Sequence, residues 1–431
     1  MDMFLEQSPV YHPPVCKCET SFDFTEKERT VLRRLAERVA VYAKSSEAKE
    51  KRARWTALND LRGDAPVIFA DPEFGWNEII PADTLECADP FARVWEMSLR
   101  KAVFEIEQIK DDRVFEPYFD VPYAYTDDGW GIEIKKTGSG GAEAFHIEAA
   151  LEDYEEQFEN LHFPAITIDE SKSSAVMELA QSVFSGILTP RRHHNWHWAV
   201  DYLDQYVLLR GMEDFMCDFI TQPEWIHKTL RLITDGMNKR LDWLEKNGLL
   251  TLNNDSSYIG TGGQGFTDAL PAAGFEGRVR TSDMWAGVQA QETVSINPDM
   301  FGEFILPYEA ELAKRFGLVS YGCCEPYDPR IQYIKKIPNL RRISCSPWSD
   351  FSKVPELIGR DYVSLVKLKP TPLAVHDMNE DVVRRDCRDA VQKTKGARCE
   401  FLMKDNHTLG NNPQNIVRWT QIMREEIEKV Y

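Results

Sequence analysis

The sequence predicts a single (β/α)8 barrel of the TIM type with an N-terminal helical extension and an inserted hairpin. Three observations predict it. From "APVIFADPEFGW" onward, short apolar runs rich in β-branched residues alternate with amphipathic helical stretches. The runs "SGILTP", "GLLTLNND", "GLVSYGCC", "LRRISCS", "YVSLVKLKP" and "CEFLMKD" are nearly continuous in apolar character, which suits a parallel sheet covered on both faces. The alternation then continues to residue 431 without a linker-like gap, whereas a large open sheet usually divides into recognisable halves.

Taken in order, residues 1–60 read as an arm and accessory helix, and residues 61–431 as the barrel. In "TEKERTVLRRLAERVAVYAKSSEAKEKRARW" the residues Leu32, Leu35, Val39 and Tyr42 share one helical face. The pair Cys16 and Cys18 has no second Cys or His pair nearby and reads as incidental. The polar stretch "YAYTDDGWGIEIKKTGSGGAEAFH" reads as an excursion from the barrel, a hairpin inserted early.

Three later helices announce their starts with proline. Pro223 opens a stripe of Ile226, Leu230, Ile233, Met237, Leu241 and Leu244 that Gly248 can end. Asn297 and Pro298 begin a second helix, which Pro307 should kink because it lacks a donor for the preceding turn. Asn412 and Pro413 repeat the signal before the last helix.

Composition restricts the partners. The chain has 431 residues, 43% hydrophobic, enough for a large core. Its 70 acidic against 51 basic residues give a formal charge of −19, a field that repels phosphate backbones and anionic lipid. The opening residues lack a basic region followed by an apolar run, and nowhere do eighteen apolar residues occur in succession, so no membrane association is expected. Nine scattered cysteines do not form a disulfide framework and fit a reducing, cytoplasmic setting.

In a β/α barrel the working residues stand where strands end. That rule selects Asp255 after "GLLTLNN", Cys323, Cys324 and Glu325 after "GLVSYG", and His407 after "CEFLMKDN". Glu292 joins them from "MWAGVQAQETVS", read as a short linker. Thiolate, imidazole and carboxylate suit zinc, although a buried cysteine pair is the plainer reading. Adjacent cysteines on an extended strand face opposite ways, so only one should enter the site unless the strand has already ended.

The stretch "TPRRHHNWHW" supplies Arg191, Arg192, His193, His194, Trp196, His197 and Trp198, which could form a metal site, an anion site or an aromatic pocket wall. "GTGGQG" has no P-loop lysine and no helix directly behind it, and reads as a mobile active-site loop. No Gly-x-Ser-x-Gly elbow occurs.

The phrases "DYLDQYVLLRGMEDFMCDFITQPEWIHKTLRLIT", "INPDMFGEFILPYEAELAKRFGL", "SYGCCEP" and "FLMKDNHTLGNNPQNIVRW" follow one another in an order and spacing that resembles the uroporphyrinogen decarboxylase superfamily over residues 165–431. That superfamily includes the zinc-dependent methyl-corrinoid methyltransferases. The decarboxylases' arginine-rich stretch is not found around "ALNDLRGDAPVIF", so the resemblance points to the methyltransferase branch. Where that branch has His-x-Cys, this chain has Tyr321 and Cys323, and His407 stands near the place of a further cysteine.

The resemblance implies zinc held by Cys323 or Cys324, His407 and Glu292, with Tyr321 as proton donor and His193, Trp196, Trp198 and Trp285 as pocket walls. The implied reaction moves a methyl group from a methylated small molecule, such as a methoxylated aromatic, to cobalamin on a partner corrinoid protein. One alternative is decarboxylation of a multi-acid substrate, with Arg191, Arg192 and His193 binding carboxylates and Asp255 holding a pyrrole-like nitrogen. Another is a non-catalytic binding protein. The homodimer is left open beside the monomer.

Overall fold

The computed structural model describes residues 22–134, 136–137, 146–196 and 202–431. Cys16, Cys18, His197 and Trp198 lie outside these residues.

The N-terminal helices are α1 (Glu26–Ala43) and α2 (Ser46–Asn59). Thr25 caps α1 in a reciprocal arrangement with Glu28, and Ser45 caps α2 through the Ala48 amide. The predicted face of α1 is buried: Leu32, Leu35 and Val39 pack with Trp95 and Phe91 of α3 (Pro90–Phe104) and with Val183 and Phe184 of α4 (Glu170–Phe184).

The strands are β1 (Val67–Ala70), β2 (Tyr118–Val121), β3 (Tyr125–Asp127), β4 (Lys136–Thr137), β5 (His146–Ile147), β6 (Ile166–Ile168), β7 (Thr189–Arg192), β8 (Trp285–Val288), β9 (Leu318–Tyr321), β10 (Leu340–Cys345), β11 (Val363–Lys367) and β12 (Arg398–Met403). Six of them form one parallel sheet in the order β1-β12-β11-β10-β9-β8, and β2 pairs with β7, also in parallel. The excursion predicted after β2 is present as antiparallel β3–β6 and β4–β5 pairs.

The fold is thus mixed α/β with a mostly parallel central sheet, consistent with a TIM-type arrangement. Two expectations shift. "SGILTP" becomes a strand only from Thr189, and "WAGV", read as part of a linker, is the edge strand β8. "GLLTLNN" forms no ladder; instead Asn253 donates from Nδ2 to the Trp285 carbonyl and accepts from the Trp285 amide with Oδ1, 3.0 and 2.9 Å. Between β1 and β2, Asp112 and Asp111 accept from the Ile68 and Ala70 amides in the same substitutive way.

Around the sheet run α5 (Tyr202–Arg210), α6 (Met212–Thr221), α7 (Pro223–Lys246), α8 (Leu306–Ala313), α9 (Glu380–Lys393) and α10 (Gln414–Glu428). Pro307 has the predicted effect in an unexpected form. The turn before it, Phe301–Ile305, widens to a π-helix, which absorbs the missing donor. No helix among the described residues is long and apolar enough to cross a membrane.

The glycine-rich loop is not the mobile segment expected. Ser257–Thr267 is buried throughout and packs on the inner face of the sheet, where Tyr258 and Phe266 join Trp55, Phe69, Val363, Leu365 and Leu402. Its carbonyls meet charge: Gly262 accepts from Arg342, whose guanidinium also holds Glu400, and both side chains are fully buried. Asn59 of α2 donates to the Gln264 and Phe266 carbonyls and ties the loop to the N-terminal helices. At Gly263, with φ +71°, a Cβ would stand 2.5 Å from both Arg342 Nη2 and Glu400 Oε2. Glycine here is a requirement of close approach and left-handed backbone, not of motion. Gly263→Ala should cost about 3 kcal/mol through overpacking and strain; chemical denaturation beside the unsubstituted protein measures it, and an unchanged midpoint would show that the loop is loose.

Candidate functional site

Because the large sheet is parallel, its strand ends share one edge, and the residues following them form a mouth. β9 ends at Tyr321, and Gly322, with φ +94°, turns the chain before the cysteines. Strand alternation therefore no longer separates them: the Cys323 and Cys324 sulfurs stand 3.6 Å apart. Cys323 is buried, while Cys324 is partly exposed and lines a cavity of about 910 Å³. All described cysteines are free thiols.

The thiol pair sits among cations. Lys367 Nζ donates to the Cys323 carbonyl at 2.8 Å, and Ser344 Oγ donates to the same oxygen at 3.0 Å. Lys404, also buried, lies 3.2 Å from Glu73 and 3.6 Å from Asp405. The hydrogen bond between the two sulfurs, together with burial, pushes Cys323 well up. Cys324 is held below the ordinary thiol range by that bond, against its burial and Asp405, with Lys367 and Lys404 helping. Of the two, the thiol facing the cavity has the lower pKa.

Glu325 fixes this geometry. Its carboxylate accepts from the Ala290 amide at 2.9 Å and the Cys323 amide at 2.8 Å, joining the ends of β8 and β9. Behind it Glu309 is fully buried with neither carboxyl oxygen hydrogen-bonded, and burial, then Glu325, raise its pKa well above the usual range. Glu292 belongs to the same acidic group and borders the cavity.

The sequence-derived residues divide. Cys324, Glu292 and Glu325 meet at the cavity. His407 does not join them: its exposed ring stacks on Phe74 at 5.2 Å, one turn beyond the residue that does approach Cys324, Asp405, at 4.0 Å. Tyr321 is fully buried on the helix-facing side of β9, 6.5 Å from Phe301, because its side chain alternates with the inward Ser320. Its hydroxyl, raised well above the usual range by burial and by Glu325, is not at the cavity.

Trp285 is core, donating from Nε1 to the Gly265 carbonyl of the buried loop at 2.9 Å. Trp196 is likewise tied, Nε1 to the Leu249 carbonyl at 3.0 Å, within a ring cluster of Tyr123, Tyr125 and His194. Neither lines this cavity.

Asp255 and His193 lie in a separate buried network. Arg191 bonds Asp120 at 2.5 Å and Asp255 at 2.8 Å. His193 Nε2 meets the Leu252 carbonyl at 3.1 Å and Ser257 Oγ at 3.2 Å. Burial pushes the Asp255 carboxyl up, but His193, Arg191 and the Ser257 hydroxyl outweigh it and keep it ionised. The arginine proposed for substrate carboxylates is thus engaged by the protein's own, and Arg192 donates to the Val121, Pro122 and Ser173 carbonyls.

Two sulfurs 3.6 Å apart are spaced like two ligands of one tetrahedral zinc, for which Zn–S bonds of about 2.3 Å give roughly 3.7 Å. The remaining ligands do not follow. Among the described residues no three His, Cys, Asp or Glu side chains are grouped to hold a metal ion. The implied set of Glu292, the cysteines and His407 does not fit a zinc centre.

No protein-family model matches the sequence, and no curated protein matches it. Among solved structures the chain is similar to a methyltransferase from Methanosarcina mazei, with 11% identity and a TM-score of 0.47, over 88% of this chain and 98% of that one.

Sequence reasoning missed Glu73, Lys367, Lys404 and Asp405. A signal was available in "MKDN", whose Lys404 and Asp405 directly follow β12. Glu73 and Asp405 both hold φ near +50 to +60°, at +48° and +61°, rare for such residues and found where function or tight packing demands it. Burial, partly offset by Lys404, raises Glu73 to about 7. A carboxyl whose folded pKa exceeds its unfolded value binds protons more tightly when folded, so its contribution falls as pH rises from about 4.5 to about 7. Glu73→Gln should flatten the decline of Tm over that window; an unchanged profile would place the titration elsewhere.

Proposed function

We propose that the chain is a methyltransferase that removes a methyl group from a methylated small molecule and passes it to the cobalamin of a partner corrinoid protein. The observation that carries the reading is the joined thiol pair at the strand-end mouth, one sulfur of which borders a cavity large enough for a small organic substrate. The ordered phrases around "INPDMFGEFILPY" and "SYGCCEP" supply the resemblance. The proposal also takes the parallel sheet as a closed barrel, with the carboxylates of Asp111 and Asp112 and the amide of Asn253 replacing ladder bonds at its seams.

The chain's own groups do three things in this reading. Glu325 holds the ends of β8 and β9 in register, so that Cys324 is presented to the cavity. The hydrogen bond with Cys323, and after it Lys367 and Lys404, lower the pKa of that thiol. The cavity orients the methyl donor and opens outward, leaving a path by which a partner's acceptor atom can approach the methyl carbon in line. No step is assigned to zinc, because the implied ligands are not assembled.

Arg191 is already saturated by Asp120 and Asp255, so no observation favours the decarboxylase reading. The test is methyl transfer from a panel of methylated donors to a reduced corrinoid protein. Cys324→Ala should reduce the rate at least about tenfold, equivalent to 1.4 kcal/mol or more of transition-state stabilisation. Cys217→Ala, which alters an exposed thiol on α6, should have no effect. Full activity in Cys324→Ala would overturn the proposal.

A further inference from the structure

The walls of the large cavity indicate the charge of its ligand. Five lining residues carry carboxylates: Asp204 at the start of α5, Glu213 and Asp214 at the start of α6, and Glu292 and Glu325 from the mouth. Against them, among the described residues, stands one lining cation, Arg210. Its charge is shared between Asp214 of the same wall, at 4.0 Å, and groups behind it. The guanidinium bonds Asp218 at 2.8 Å and the Leu151 and Glu152 carbonyls at 2.7 and 2.6 Å. The cavity is therefore anionic, as is the whole chain.

Two features independent of that charge point to an organic occupant. Trp348 lines the cavity and is 73% exposed, and Met212 beside it is 45% exposed. A large aromatic ring and a thioether held open to solvent at a concave site are what a desolvated cation would contact. Lys369 already places its ammonium 5.6 Å from the Trp348 ring centroid.

We infer that this cavity takes an organic cation, specifically a quaternary ammonium compound bearing an N-methyl group, rather than a neutral or anionic methoxylated aromatic. The inference rests on the methyltransferase reading for its chemistry. In the step, the acceptor's electron pair forms the new bond to the methyl carbon. The C–N bond breaks, its pair goes to nitrogen, and the product leaves as a neutral tertiary amine. An ether would instead leave as an alkoxide and would need a proton or a Lewis acid at its oxygen. Tyr321, the proton donor implied for that ether, is sealed on the other side of β9, and the implied zinc ligands are apart. A quaternary ammonium donor requires neither group, because positive charge disappears from the leaving atom. The carboxylates hold the donor by its charge.

Calorimetry on the full chain without any partner tests the binding claim with three probes of similar size. These are the phenyltrimethylammonium cation, neutral methoxybenzene and anionic 4-methoxybenzoate. The cation should bind, more weakly as salt is raised, and at least tenfold more tightly than the other two. Trp348→Ala and the exposed pair Glu213→Gln with Asp214→Asn should each weaken it about fivefold or more, with circular dichroism confirming the fold. Binding of methoxybenzene or the carboxylate as tightly as the cation, or cation binding indifferent to both variants, would overturn the inference. Cation binding without methyl transfer would sink the methyltransferase reading and leave the ligand class standing. Methyl transfer from methoxylated aromatics alone, with no cation binding, would do the reverse.

Discussion

The arrangement depends on one buried ion pair and what surrounds it. Arg342 on β10 and Glu400 on β12 face each other on the inner side of the sheet with no solvent exposure. Two charges out of water are tolerated only if further hydrogen bonds complete them. The glycine-rich loop provides one, through the Gly262 carbonyl, and fits only because Gly262 and Gly263 have no side chain to collide with Leu402, Arg342 or Glu400. The loop fills the space beneath the strand-end mouth. Thr261 then donates to the Gly322 carbonyl at 2.7 Å, directly beside the cysteines. Packing under the site and position within the site are mechanically continuous.

This continuity explains why the mouth is crowded with ionisable groups that need not be substrate ligands. Lys367 is spent on the Cys323 carbonyl and Lys404 on Glu73 and Asp405. Their positive charge still acts at a distance of a few ångströms, in surroundings of low dielectric, and favours the ionised form of either sulfur. The lysines thus bear on the protonation of the thiol pair, while the carboxylates of the cavity wall bear on whatever enters.

Much of the framework was legible because it rests on local rules. The helix starts at Pro223 and Asn297, the apolar strands, and the strand-end location of Cys323 and Cys324 follow from propensity and alternation. What failed were features set by tertiary partners. "WAGV" is only four residues long and interrupted by glycine, and "GLLTLNN" reads as a strand but gives its ladder role to the Asn253 side chain. "GTGGQG" has the composition of a mobile loop, and only its contacts with Arg342, Glu400 and Trp55 show why those glycines are needed. His407 and Asp405 are two residues apart, yet the chain turns between them, and no periodicity indicates which one returns toward Cys324.

The cysteine pair shows the same limit from the other side. Alternation assigns adjacent residues to opposite faces of a strand, which would bury one sulfur and expose the other. Both consequences are half realised, since Cys323 is buried and Cys324 borders the cavity, but the sulfurs remain in contact because Gly322 has already left extended geometry. A residue with a Cβ at φ +94° would strain the turn and meet Ser344 at 3.1 Å, so the contact depends on glycine at that one position. The chemistry of the mouth follows from where the strand stops. Had β9 continued one residue further, the two sulfurs would diverge, and Cys324 would lose the contact that most lowers its pKa.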